Sequence, residues 1–204
     1  MRKAAHALSL ALHPVWMPTV ALALALALDP LLAMMIPERG RHMLLGMIFL
    51  MTAVFPITST LLMLRSGAVS ALAMPRRQER TAPYVVTLVY FAMAYYLLRR
   101  TPLHPAVLAL FTGILLSTVG LLLLGIRWKV SAHMAGIGGV VGMVIGLGML
   151  HGSSTALVPV LFVLAGVLGS ARLLVTNHTW GEVATGMALG LASTLGCLLF
   201  GVYF

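Results

Sequence analysis

The sequence predicts an all-α fold, a polytopic transmembrane helical bundle of about seven helices (six to seven), and three observations predict it. Hydrophobic residues make up 61% of the chain and charged residues only 8%, whereas a soluble domain carries about 25% charged residues to cover its water-facing surface. Mean hydropathy is +1.05. The apolar residues also fall into runs close to the ~20 residues that span the hydrocarbon of a bilayer. These runs leave no stretch long enough for a separate soluble domain, so residues 1–204 read as a single membrane-embedded domain.

The expected spans are 16–36, 43–64, 83–98, 104–126, 132–150, 153–171 and 183–204. Most are free of formal charge, as they must be when a charge at mid-bilayer costs about 2.5–3.5 kcal/mol on insertion scales. The opening MRKAAHALSLALHPVWMP has the basic start and short apolar core of a signal peptide. It lacks a small-x-small cleavage pattern before Pro14, and the apolar character resumes at once, so an uncleaved first helix is expected. Asp29-Pro30 in the first run marks an irregular helix end. The third run opens at Pro83 and closes at Arg99-Arg100, whose side chains can snorkel to the interface. Gly138, Gly142 and Gly146 recur every four residues, and Gly186 and Gly190 repeat the spacing. Small residues so placed let helices approach closely, either inside the bundle or across a homodimer interface.

The 13 Lys and Arg outnumber the 4 Asp and Glu, for a net charge of +9. They sit in short clusters between apolar runs, not on one continuous face. That distribution speaks for interfacial anchors, orientation signals and an anion site, and no nucleic acid is expected as a partner. Cys197 is the single cysteine and cannot form an internal disulfide.

With seven spans, the second, fourth and sixth connections emerge on one side of the bilayer, and these three hold the unusual polar clusters. The last contains Ser170, Arg172, His178 and Glu182. If a helix begins near His178, Glu182 lies one turn along on the same face. A carboxylate there can hold the Nδ1 proton of His178 and leave Nε2 as nucleophile or base, while Arg172 grips an anion with its planar fork. The same pair also fits an interfacial histidine beside a carboxylate that complements a helix N-terminus. The middle cluster, Lys129-Val130-Ser131-Ala132-His133 followed by Gly136, Gly138 and Gly139, offers a hydroxyl and backbone N–H groups at a helix start, a natural phosphate cradle. Equally, Ser131 can be an ordinary cap. The first cluster gathers Arg76, Arg77 and Arg80 before Pro83, either to clamp phosphate oxygens or to anchor headgroups. Jointly the clusters supply a nucleophile, its orienting carboxylate, a proton donor and several cations. The four scattered acids could not build a Mg²⁺ site, so no metal and no cofactor are expected.

In this arrangement the chain resembles the phosphatidic acid phosphatase type 2 superfamily of membrane lipid phosphatases over roughly residues 65–190. The family's third motif is matched by Arg172-x5-His178-x3-Glu182, its second by Ser131-Ala132-His133, and its first by Arg76/Arg77 through Arg80 and Pro83. Glu182 stands for the usual Asp, Ala132 for Gly, and no Lys lies seven residues before Arg80. The resemblance implies that His178 attacks phosphorus, that Glu182 orients it and that His133 protonates the leaving group. It also implies that Arg80, Arg172, Ser131 and the Ala132 amide bind phosphate; Lys129 or Arg76 is expected to replace the missing lysine. The implied activity is metal-independent hydrolysis of a lipid phosphate or diphosphate through a phosphohistidine. A polyprenyl diphosphate, a lipid A phosphate, phosphatidylglycerol phosphate or phosphatidic acid is the expected substrate. A non-catalytic lipid-binding or transport protein on the same bundle is the alternative, with Asp29 the one candidate for ion coupling.

His6, His13, His42, His104 and His151 fall near span ends and read as headgroup contacts. Trp16, Trp128 and Trp180 read as an aromatic belt, with Trp128 and Trp180 near enough to the proposed site to meet a lipid tail. Arg39, Arg41, Arg99 and Arg100 fall opposite the polar clusters and the remaining Lys and Arg beside them. Taken literally, the positive-inside rule puts the clusters in the cytoplasm. Setting aside Arg76, Arg77, Arg80, Lys129 and Arg172 as phosphate binders leaves the two sides balanced. The family habit then favours a bacterial cytoplasmic (inner) membrane with the site on the extracytoplasmic side.

Overall fold

The structure is a computed structural model and describes residues 2–71, 78–176 and 178–204. Among these residues there are nine helices and no strand: α1 (Arg2–Ala11), α2 (Met17–Leu28), α3 (Pro30–Met34), α4 (Glu38–Arg65), α5 (Gln78–Arg99), α6 (Pro105–Gly125), α7 (Ala132–His151), α8 (Val158–Thr176) and α9 (Trp180–Leu199). The fold is an all-α bundle. Six helices, α4 to α9, are long and apolar enough to cross a membrane.

The run expected over 16–36 is two helices, not one. Asp29 takes an extended conformation (φ −113°, ψ 101°) between α2 and α3, because Pro30 has no N–H to continue the ladder. Asp29 Oδ1 accepts the N–H groups of Leu31 (3.0 Å) and Leu32 (3.3 Å) and so caps α3. Its other oxygen, Oδ2, meets His151 Nδ1 at 2.5 Å. Although α2 is only twelve residues long, it still runs between the two ends of the bundle. His13, just before it, lies against His133 at the start of α7, and Asp29, just after it, pairs with His151 at the end of α7. Among the described residues, α2 and the six long helices thus run the length of the bundle in turn, and α4, α6 and α8 end where α5, α7 and α9 begin, at one end. Asp29→Ala is expected to lower stability by about 2 kcal/mol, since it removes a helix cap and strips a nearly buried carboxylate from His151. Thermal unfolding in detergent measures this.

His104 and His151 are structural here, not headgroup contacts. His104 Nδ1 accepts the Ala106 N–H at 3.2 Å to cap α6, and the two imidazole rings meet edge to face at 5.1 Å.

Two local irregularities shape the interior. In α4 a π-turn spans Leu50–Val54, where the Phe55 N–H bonds the Leu50 carbonyl five residues back. The wider turn relieves Pro56, which follows it and whose ring would press on the turn before. Between α7 and α9 the glycine stripes allow backbone to meet backbone. A Cβ on Gly190 would overlap the Ala135 carbonyl, one on Gly186 the Ser131 carbonyl, and one on Gly142 would come within 2.6 Å of Leu191 O. The small-residue spacing thus serves packing inside the bundle. On the other flank of α9, a Cβ on Gly113 of α6 would lie 2.6 Å from Thr194 Cα. Leu22, Ile48, Leu110, Phe111 and Met143 fill the core around this three-helix centre.

Candidate functional site

The start of α9 fixes the geometry of the site. Thr179 is the N-cap; its Oγ1 accepts the Glu182 N–H at 3.3 Å, and Glu182 Oε2 accepts the Thr179 N–H at 3.0 Å, a reciprocal capping box. The same Oε2 lies 3.1 Å from His178 Nδ1. A carboxylate can only accept, so Nδ1 carries the proton and Nε2 keeps its lone pair. Glu182 therefore closes the helix end and orients the imidazole at once. His178 and Glu182 side chains are 6% and 9% exposed. Burial is the largest influence on His178 and pulls its pKa below the ordinary 6.5; the Glu182 bond opposes this, and Arg172 and Lys129 add to it. An NMR titration should place the His178 midpoint below 6.5, and Glu182→Gln should lower it further by removing the group that raises it.

The other clusters are drawn to this point by backbone contacts. The Ser131 N–H donates to the Glu182 carbonyl at 3.1 Å, and the close passage at Gly186 seats the start of α7 against the start of α9. Lys129 Nζ donates to the Thr176 carbonyl at 2.7 Å, capping the end of α8. Burial and then Arg80 pull its pKa below the usual lysine value, while Glu182 opposes them. Arg80, Lys129 and Arg172 lie within electrostatic reach of one another. Arg172 Nε is buried with no hydrogen-bond partner.

These groups open into one cavity of about 960 Å³. Arg80, Lys129, Ala132, His133, Arg172 and His178 line its polar end; Phe91, Leu110, Ile114 and Val140 line its apolar depth. Val140 is seven residues, ~10 Å, along α7 from His133, and the lining reaches Thr194, ~20 Å along α9 from Trp180. The long axis thus leads from cations at the bundle end into apolar interior.

Of the residues expected from sequence, His178, His133, Arg172, Arg80, Lys129 and Ala132 share the cavity, and Glu182 stands behind His178. Ser131 Oγ is buried without a partner, so Ser131 is an N-cap by position but makes no side-chain cap. It does not line the cavity, whereas Ala132 beside it does. Ser170 Oγ is exposed and turned back onto the Gly166 carbonyl, outside the site. Arg76 and Arg77 lie outside the described residues.

Sequence reasoning missed the N-terminal segment. His6, Ser9 and His13 line the cavity, so His6 and His13 are not simple headgroup contacts. The His133 Nε2–H donates to the Ser9 carbonyl (3.1 Å), and the His13 ring stands edge-on to His133 at 5.1 Å. The signal was present, since positions 6, 9 and 13 fall at the 3-then-4 spacing of one helical face. Tyr84, also in the lining, is an electrostatic neighbour of Arg80 and Arg172. The tryptophan in the lining is Trp16; Trp128 instead packs over Gly181, and Trp180 is 73% exposed.

Comparison with family models, with curated proteins and with solved structures gives no match to this chain.

Proposed function

We propose that the protein is an integral membrane phosphatase of lipid phosphates or diphosphates, working through a phosphohistidine on His178. The observation that supports this reading is a single cavity that joins a carboxylate-oriented histidine, a second histidine and three cations to a deep apolar interior. An anionic headgroup suits the first part and a lipid tail the second.

His178 Nε2 attacks phosphorus, and the departing oxygen takes a proton from His133. His133 holds its Nε2–H on the Ser9 carbonyl and acts as the imidazolium. Its second proton, on Nδ1, is held by the negative charge of the bound phosphate and passed to the departing oxygen. Arg80, Lys129 and Arg172 balance the charge that builds on the phosphoryl oxygens, and the Ala132 amide at the start of α7 adds a donor. Water, relieved of a proton by His133, then cleaves the N–P bond. Arg80, Lys129 and Arg172 are the groups assigned this work, without a metal ion. We place the site on the extracytoplasmic side of a bacterial cytoplasmic membrane, as the family resemblance implies; the lysines and arginines outside the site are balanced between the two ends and favour neither.

Purified protein in micelles is expected to release inorganic phosphate from lipid phosphates at the same rate with and without excess chelator. Saturable lipid binding with no release, or a rate that collapses with chelator, contradicts the proposal; the first result would point to a lipid-binding or transport protein.

A further inference from the structure

The reading of the cavity as a phosphatase site leaves two of its donors without work. Ser9 lines the cavity, and its Oγ is buried in that wall with no hydrogen-bond partner. His13 lines the same wall; its Nδ1 accepts the Val15 N–H at 3.4 Å, so the proton is on Nε2 and that N–H is left to donate. Burial, and then Arg172, push the His13 pKa down to about 4, so at neutral pH the ring is an uncharged donor. Both residues stand beside His133, one through its backbone and one through its ring. The segment is held there by the packing of α1 against α8, and Trp16, whose indole N–H donates to the Leu10 carbonyl at 3.0 Å, fixes the turn that follows α1.

Their place relative to His133 says what they meet. In an in-line displacement the nucleophile and the leaving oxygen lie on opposite sides of phosphorus. With His178 as nucleophile and His133 as acid, groups gathered round His133 face the leaving group. A phosphate monoester leaves as an alcohol on an apolar chain, with no further acceptors. Against such a group, Ser9 and His13 would be desolvated donors without partners, a costly arrangement. A leaving phosphate presents non-bridging oxygens to both.

We infer that the substrate is a lipid diphosphate, and that Ser9 Oγ and His13 Nε2 bind the phosphate that stays with the lipid. This inference rests on the phosphatase reading. The N–P bond forms between His178 and the terminal phosphorus as the bond from that phosphorus to the bridging oxygen breaks. The lipid monophosphate departs with the electron pair and takes the His133 proton. Water then cleaves the N–P bond, yielding inorganic phosphate and returning a proton to His133.

Farnesyl diphosphate and farnesyl monophosphate, identical in their tails, test the assignment with the full chain in micelles. The wild type should favour the diphosphate in kcat/KM by at least about tenfold, the worth of a hydrogen bond to a charged group. The Ser9→Ala/His13→Ala variant should bring the ratio of the two kcat/KM values to within about threefold, and His13→Gln, which keeps an N–H donor, should retain most of the preference. A wild type with no preference, or a ratio unmoved by the double variant, overturns the inference and leaves the phosphatase reading standing. Hydrolysis of neither substrate overturns both.

Discussion

His178→Ala is expected to lower phosphate release by on the order of 10⁴-fold or more, leaving what binding and electrostatics alone provide. No neighbour can replace it. Among the described residues its Nε2 is the one lone pair at the polar end that a buried carboxylate orients, through Glu182 Oε2 at 3.1 Å. His133 has its Nε2–H committed to the Ser9 carbonyl. Glu182→Gln is expected to act more mildly, by about 10²- to 10⁴-fold. The amide keeps the size of the side chain but not the charge that favours the Nδ1–H tautomer. A malachite-green or radiolabel assay of released phosphate distinguishes the two levels. Circular dichroism on the same samples checks that the capping box at Thr179 has not unravelled.

Gly190→Ala is expected to destabilise the bundle by about 3 kcal/mol and to abolish activity with it. The added Cβ overlaps the Ala135 carbonyl, and neither side of that contact is a flexible side chain that can turn aside. Relief requires α7 and α9 to part just below the site. The Ser131 N–H would then leave the Glu182 carbonyl, now 3.1 Å away, and His133 would move off His178. Gly196→Ala, on the same helix with open space around it, is the control. It should be neutral or slightly stabilising, as Gly to Ala in a helix usually is. Thermal unfolding of the two variants side by side measures the difference.

These expectations differ in how much of their basis was written in the sequence. His178 and Glu182 were legible because one helical turn separates them and a helix start fixes both. The meeting of the three clusters was legible because it follows from the parity of the passes, which survives although the first run breaks at Asp29. The close packing of the glycine stripes followed from their spacing, but their partner did not, since no local rule says that Gly190 meets Ala135. The N-terminal contribution was hidden for the same reason. Ser9 and His133 are 124 residues apart, and the short α1 gives no membrane-span signal that would place it. Asp29 and His151, 122 residues apart, were each visible as oddities but not as a pair. What sequence carries well here is spacing within a helix; what it carries poorly is which helix ends share a corner.

The central claim is a covalent phosphoryl group on His178. Rapid mixing with a lipid phosphate labelled at the terminal phosphorus, followed by quenching in base, should trap labelled protein. The label should be stable in base, lost in acid, mapped to His178 and absent from His178→Ala. Phosphate release with no trapped label at any mixing time, or label still carried by His178→Ala, would contradict the account.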